Sequence, residues 1–188
     1  EKQYPEFFDP KSPTLRVGGT LNKNFPTITH EFPMYSLDNA YSEQQLYDWE
    51  KRIQKRLGTD AVTYTCELKF DGVSISLTYE NGVLEQAVTR GDGTQGDEVT
   101  QNIRTIPTVP LQLRGDFTDR FAIRGEIVLP IDGFNKMNEE RVALGEEPYR
   151  NPRNTASGTL KLQDSSMVAK RPLQCFLYQM IADRSLFT

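Results

Sequence analysis

The chain has 188 residues, 37% hydrophobic and 26% charged, with 22 Lys and Arg against 26 Asp and Glu for a formal charge of −4. That length argues for one cored domain, or one domain with an appendage, and the charge balance excludes a globally polycationic chain, so contact with a phosphate backbone would need a local basic patch. Cys66 and Cys175 form no CxxC pair and His30 is the single histidine, which excludes a dedicated zinc site. No apolar run is long enough to span a bilayer, and the start, EKQYPEFFDP, lacks a signal-peptide pattern. Both thiols read as buried and the chain as cytoplasmic.

Residues 1–35 are rich in Pro, Gly, Asn and Thr without a steady period, and read as an extended lead-in from a missing upstream domain. From Ser42 the pattern is helical. Ser42 with Gln45 suggests a capping box, Leu46, Trp49, Ile53 and Leu57 form an apolar stripe, and Gly58 closes the helix. The basic residues Lys51, Arg52, Lys55 and Arg56 could touch a polyanion, but such a run opposite an apolar stripe reads first as a solvated face.

At CELKFDG the pattern alternates, which predicts a strand with Glu67, Lys69 and Asp71 on one face and Cys66, Leu68 and Phe70 on the other. Alternation resumes through Val73, Ile75, Leu77 and Tyr79, and Asn81-Gly82 predicts a hairpin into a partner strand over about 83–90. A turn-rich RGDGTQGD leads to a short helix over 98–103. FAIRGEIVLP then predicts a strand with Arg124 and Glu126 on one face and Ile123, Ile127 and Leu129 on the other. Residues 130–144 read as a helix and LQCFLYQMI as a buried strand, so the class is α+β with mainly antiparallel pairing. NTASGTLKLQD has two readings that the residues leave open: a helix start whose amides face an anion, or tight packing beneath a helix.

A lysine flanked by carboxylates poses a chemical problem. As a nucleophile the amine must be neutral, and with a reference pKa near 10.4 that costs about 4.6 kcal/mol at pH 7. Adjacent carboxylates raise the cost, because they favour the ammonium form. A metal, a second cation, or a carboxylate or water that takes the proton as attack begins would remove the obstacle. Taken alone, the three charges also fit a solvated strand face with weak pairing.

The longer pattern points further. ELKFDG, the Asn81-Gly82 hairpin, TRGDGTQGDEVTQNIRTI, RGEIVLP and NPRNTASGTL, in this order and with SPTLRVGG and MYSLDNAY upstream, resemble the adenylation domain of bacterial NAD-dependent DNA ligases over nearly the whole chain. The resemblance implies a covalent nucleotidyltransferase fold of mainly antiparallel sheets flanked by helices, shared with mRNA capping enzymes, with 36–188 forming the domain, truncated at its C-terminal side. It implies that Lys69 attacks the α-phosphate of NAD to give lysyl-AMP and nicotinamide mononucleotide, and that Asp71 orients or activates it. Glu67 would read the adenine, Arg90 and Glu126 would bind the nucleotide, Ser36 and Leu37 would line its pocket, and Arg153 would lie near the phosphates or the DNA end. Lys161 stands where an arginine is usual, keeping the charge but losing the planar fork.

The same resemblance implies NAD as AMP donor, Mg2+ or Mn2+ as the ion screening the phosphates, with no direct protein ligand assigned, and nicked double-stranded DNA as the partner of a monomeric enzyme of replication and repair. It implies further parts absent from this chain: an upstream domain that grips nicotinamide mononucleotide, two downstream cleft lysines, an oligonucleotide-binding barrel, a four-cysteine zinc module, helix-hairpin-helix repeats and a terminal domain. On this reading the chain is a fragment that adenylates little or not at all until its upstream domain is restored. The alternative is a module that only holds AMP. RGDG as a cell-adhesion motif would need a secreted, exposed loop and finds no support. K-x-D-G is also found in ATP-dependent ligases, but SLDN, RGDG and NPRN point away from them.

Overall fold

The computed structural model describes Ser12 and residues 24–182; most of the expected lead-in, including the rest of SPTLRVGG, lies outside the described residues. The elements are β1 (Thr27–Thr29), α1 (Glu43–Leu57), β2 (Val73–Glu80), β3 (Val83–Thr89), β4 (Gln95–Asp97), α2 (Thr100–Ile103), β5 (Arg120–Val128), α3 (Ile131–Ala143), α4 (Pro152–Leu160), α5 (Ser165–Ala169) and β6 (Gln174–Ile181). They mix helix with antiparallel sheet, as expected for the class. Among the described residues no helix is long and apolar enough to cross a membrane.

The chain divides into two compact units, a smaller one of residues 35–69 and a larger one made of the remainder. The larger unit is built on a four-stranded antiparallel sheet in the order β3-β2-β5-β6. Asn81 and Gly82, at φ 50° and 75°, make the predicted turn between β2 and β3, since a two-residue hairpin of this twist needs positive φ at both positions. The register Ile75↔Gly125, Leu77↔Ile123 and Tyr79↔Phe121 gathers the apolar face, while Ser74↔Glu126 and Ser76↔Arg124 gather a polar one. Arg124 and Glu126 therefore share a face, as their alternation indicates.

Ile75, Leu77 and Tyr79 join Val99, Ile103, Ile106, Ile127, Leu160 and Val168 in one core. Among the described residues Asn102 is the polar side chain buried most completely, with 0% exposure. Its side-chain amide donates to the carbonyls of Leu160 and Leu162 at 2.8 Å each, satisfying acceptors at the end of α4 that the helix itself leaves unpaired. Outside the core, β1 pairs with β4, His30 N–H donates to the Thr94 carbonyl and Met34 N–H to that of Gly93. One Arg124 nitrogen donates to the carbonyls of Phe32 and Pro33, tying residues 27–34 to the polar sheet face.

Two expectations need correction here. LQCFLYQMI is not a buried strand: β6 is the edge of its sheet, and Phe176, Leu177, Tyr178 and Met180 are all exposed. Its apolar letters satisfy a strand pattern on either face, so the sequence does not tell an edge from a centre. Nor is 66–71 a strand. The chain is irregular from residue 61 to residue 72, and β2 starts at Val73. Alternation alone does not make a strand, because its amides and carbonyls need a paired neighbour.

The smaller unit contains α1 and the irregular chain that follows. Ser42 caps the helix through a bond from the Gln45 amide, and Gly58 closes it in the left-handed region at φ 69°. The Gln45 side chain returns its bond to the Tyr41 amide, one residue before the position a capping box would use. No residue of α1 is buried, and of the apolar stripe read from the sequence Leu46, Trp49 and Leu57 are exposed and Ile53 is half-buried. Trp49 packs against Tyr64, with ring centroids 5.4 Å apart.

Replacing Asn102 by Ala strips one buried and one part-buried carbonyl of their donor, at about 1–3 kcal/mol for the buried one and less for the other. Urea unfolding of the larger unit is expected to show a loss of about 3 kcal/mol, and a change within error would contradict the bridging role.

Candidate active site

The larger unit carries a hollow of about 340 Å³ between the start of β2, the end of β3 and α4, lined among others by Gly72, Ser74, Arg90, Asp97, Arg153 and Lys161. Gly72 sits where irregular chain becomes strand. A Cβ there would lie 2.1 Å from the Ile127 carbonyl oxygen, so only glycine lets the chain approach β5 this closely. Its amide donates to Glu126 Oε1 at 3.1 Å, and the Ser74 hydroxyl donates to Glu126 Oε2 at 2.7 Å. Glu126 is 8% exposed, and these two bonds are what make a buried carboxylate tolerable.

Three cations border the hollow. Arg153 donates to Asp71 Oδ1 at 3.0 Å, and Lys161 pairs with Asp97 at 2.8 Å. Both pairs are half-exposed, where such contacts contribute little, so a phosphate with more charge could displace either carboxylate. Arg90 has no carboxylate partner among the described residues; its backbone is held instead, its amide donating to the Ser74 carbonyl and its carbonyl accepting from the Gly93 amide. His30 Nε2, 3.1 Å from the Arg90 carbonyl, is the nitrogen that carries a proton, since a carbonyl only accepts. α4 lines the hollow with Arg153, Asn154, Ser157 and Leu160 and buries Thr155, Ala156 and Thr159, which fits the packing reading of NTASGTLKLQD; the Asn154 amide at its start is capped by Asn151.

The turn that aims Arg90 is fixed by Asp92, whose Oδ1 accepts from the Thr94 and Gln95 amides at 2.8 and 2.9 Å. The Gln95 and Thr94 amides hold this carboxyl below its ordinary value. On β6, burial and then the negative charge of Glu126 push the Tyr178 phenol up. Phe176 stacks on Phe70 at 4.2 Å between ring centroids.

Of the residues singled out in the sequence, Asp71, Arg90, Arg153 and Lys161 thus gather at or beside the hollow, with Glu126 bonded to two of its lining residues. Ser36, Leu37, Glu67 and Lys69 belong to the smaller unit, where all four are exposed. Sequence reasoning missed Asp97, Ser74 and Tyr178. Asp97 closes RGDGTQGD, and Ser74 has the strand parity opposite to Ile75, so both carried a signal; reading 173–181 as buried concealed Tyr178.

Cys66 corrects another expectation, since it is exposed. Cys175 is half-buried, and burial, followed by the charge of Glu126, pushes its thiol up to about 12. Among the described residues no three His, Cys, Asp or Glu side chains converge, and Asp71 and Asp97 already face cations. These side chains do not by themselves make a cage for a divalent ion.

This chain belongs to the NAD-dependent DNA ligase adenylation domain family, which it matches over residues 22–186. Among curated proteins it is 65% identical over 178 residues to a DNA ligase of Flavobacterium johnsoniae, covering 95% of this chain and 27% of that protein. To a DNA ligase of Flavobacterium psychrophilum it is 63% identical over 187 residues, covering 100% of this chain and 28% of the relative. To one of Petrotoga mobilis it is 50% identical over 181 residues, covering 96% and 27%. The chain therefore spans a little over a quarter of the length of these relatives.

Alkylation at pH 8 is expected to label Cys66 within minutes and to spare Cys175 until the protein unfolds, because only thiolate reacts; equal labelling of both would contradict the packing around Glu126. The depressed Asp92 carboxyl stabilises the turn above the unfolded value of 3.8 and loses that contribution as pH falls through its native value. The Thr94 and Gln95 amide resonances are expected to titrate together with a midpoint below 3.8 and to stop doing so in Asp92→Asn. A midpoint at or above 3.8 would refute the assignment.

Proposed function

We propose that this chain is the adenylation domain of a longer NAD-dependent DNA ligase, and that Lys69 is its nucleophile. Lys69 Nζ attacks the α-phosphorus of NAD; a P–N bond forms, the P–O bond to nicotinamide mononucleotide breaks, and that group leaves. The ammonium proton passes to a neighbouring acceptor, Asp71 or water. The phosphoramidate keeps AMP activated until the 5′-phosphate of a DNA nick displaces it from the lysine, and the 3′-hydroxyl then displaces AMP to seal the strand.

In this reading Glu67 accepts a hydrogen bond from the adenine amino group, and Ser36 and Leu37 line the nucleotide pocket with Arg90 and Glu126. Arg153 and Lys161 take the phosphates or the DNA end. The observation that carries the proposal is the convergence of Arg90, Arg153 and Lys161 on one hollow immediately after the KFDG string, in a chain of this family. Pre-placed cations favour phosphate charge as it develops in phosphoryl-type transfer. Mg2+ or Mn2+ would supply further screening, arriving with the phosphates. The enzyme acts as a cytoplasmic monomer on nicked duplexes in replication and repair. A module that merely holds AMP is not favoured, because the lysine string and the phosphate cations serve transfer rather than retention.

The test is mass spectrometry of the intact protein after incubation with NAD and a divalent cation. An AMP adduct is expected on Lys69, and Lys69→Arg is expected to abolish it, since a guanidinium stays protonated. No adduct on the wild type, or an adduct surviving in Lys69→Arg, would refute the proposal.

A further inference from the structure

Arg90 differs from the other two cations of the hollow in what holds its backbone. Arg153 and Lys161 stand on α4 and at its C-cap, whereas Arg90 lies one residue beyond the end of β3, where the chain turns through Gly91 and Gly93 at φ 57° and 96°. On the strand side its amide donates to the Ser74 carbonyl at 2.9 Å. On the turn side its carbonyl takes two donors: the Gly93 amide at 3.0 Å from within the turn, and the His30 ring at 3.1 Å from 60 residues upstream. A carbonyl oxygen has two lone pairs, and both are used.

The segment that carries His30 is fastened without that ring. β1 pairs with β4, the His30 amide donates to the Thr94 carbonyl and the Met34 amide to that of Gly93, and Arg124 donates to the carbonyls of Phe32 and Pro33. The bonds to Gly93, Thr94 and β4 grip the tip and the far side of the turn, while the ring reaches its root. The imidazole thus adds little to anchoring the segment and acts on the peptide that carries Arg90.

We propose that His30 is a positioning residue for Arg90: its ring fixes the peptide from which that guanidinium reaches the hollow, and so sets the affinity for the nucleotide; this rests on the function proposed above. A side chain as long as arginine magnifies a small rotation of its own peptide at the guanidinium. Arg90 has no carboxylate partner among the described residues to hold that tip, so its placement depends on the backbone. A cation set in place before its ligand arrives loses less binding free energy to ordering. His30 touches neither substrate nor reacting atoms in this role, and its effect passes entirely through Arg90.

The experiment follows single-turnover AMP transfer to Lys69 in the intact protein across a range of NAD concentrations, by mass spectrometry, and reads a half-saturating concentration and a maximal rate. Arg90 is assigned to binding, so loss of the ring acts on the first and spares the second. His30→Ala is expected to raise half-saturation about fivefold, the effect of one hydrogen bond of ordinary strength, with the maximal rate within about twofold of the wild type. His30→Gln, whose side-chain amide keeps an N–H donor, is expected to recover most of that loss. Arg90→Ala is expected to raise half-saturation by itself, and adding His30→Ala to it is expected to change nothing further, since both act through one side chain. Loosened folding alone lowers the fraction of chains that react and leaves half-saturation where it was. That result in His30→Ala overturns the proposal, as do effects of the two substitutions that simply add. No AMP on Lys69 of the wild type overturns the parent reading and this one with it, whereas transfer in the wild type with the same half-saturation in His30→Ala overturns this one alone.

Discussion

A single buried carboxylate organises the site. Glu126, on the second strand of the central β2–β5 ladder, accepts from the Gly72 amide and the Ser74 hydroxyl and so fixes the point at which irregular chain becomes sheet. Gly72 approaches β5 too closely for any side chain, which brings that amide within reach. Removing the carboxylate would leave a buried amide without its acceptor, a loss of about 1–3 kcal/mol concentrated at the rim of the hollow. Phe70, stacked on Phe176, secures the chain two residues earlier.

Around that fixed point the charges are arranged to be exchanged. Arg153 with Asp71 and Lys161 with Asp97 are partly solvated pairs, whose contribution to stability is small. The rigidity lies one layer below. Asn102 clamps the carbonyls of Leu160 and Leu162 on either side of Lys161, and Asp92 shapes the turn behind Arg90. Solvated charged tips on fixed backbones suit the phosphate exchange proposed for this surface.

Much of this was legible in the sequence because periodicity and turn chemistry are local. The Ser42 cap, the Gly58 stop, the Asn81-Gly82 turn and the shared face of Arg124 and Glu126 all appear where pattern places them. Failures fall where the outcome depends on distant partners. Residues 66–71 alternate like a strand but lack a ladder, β6 is apolar yet lies at an edge, and Cys66 has a buried residue's chemistry in an exposed position. The pairs Lys161–Asp97 and Asn102–Leu160 join segments about sixty residues apart, beyond the reach of any local pattern.

The central claim is that the hollow between the start of β2, Arg90 and α4 receives the phosphate of an adenylate. A crystal structure of the intact protein soaked with NAD tests this most directly. Electron density continuous from Lys69 Nζ to a phosphorus atom, with Arg153 or Lys161 turned from its aspartate towards that phosphate, is the expected result. Adenylate bound away from Gly72 and Arg90, with both ion pairs intact, would contradict it.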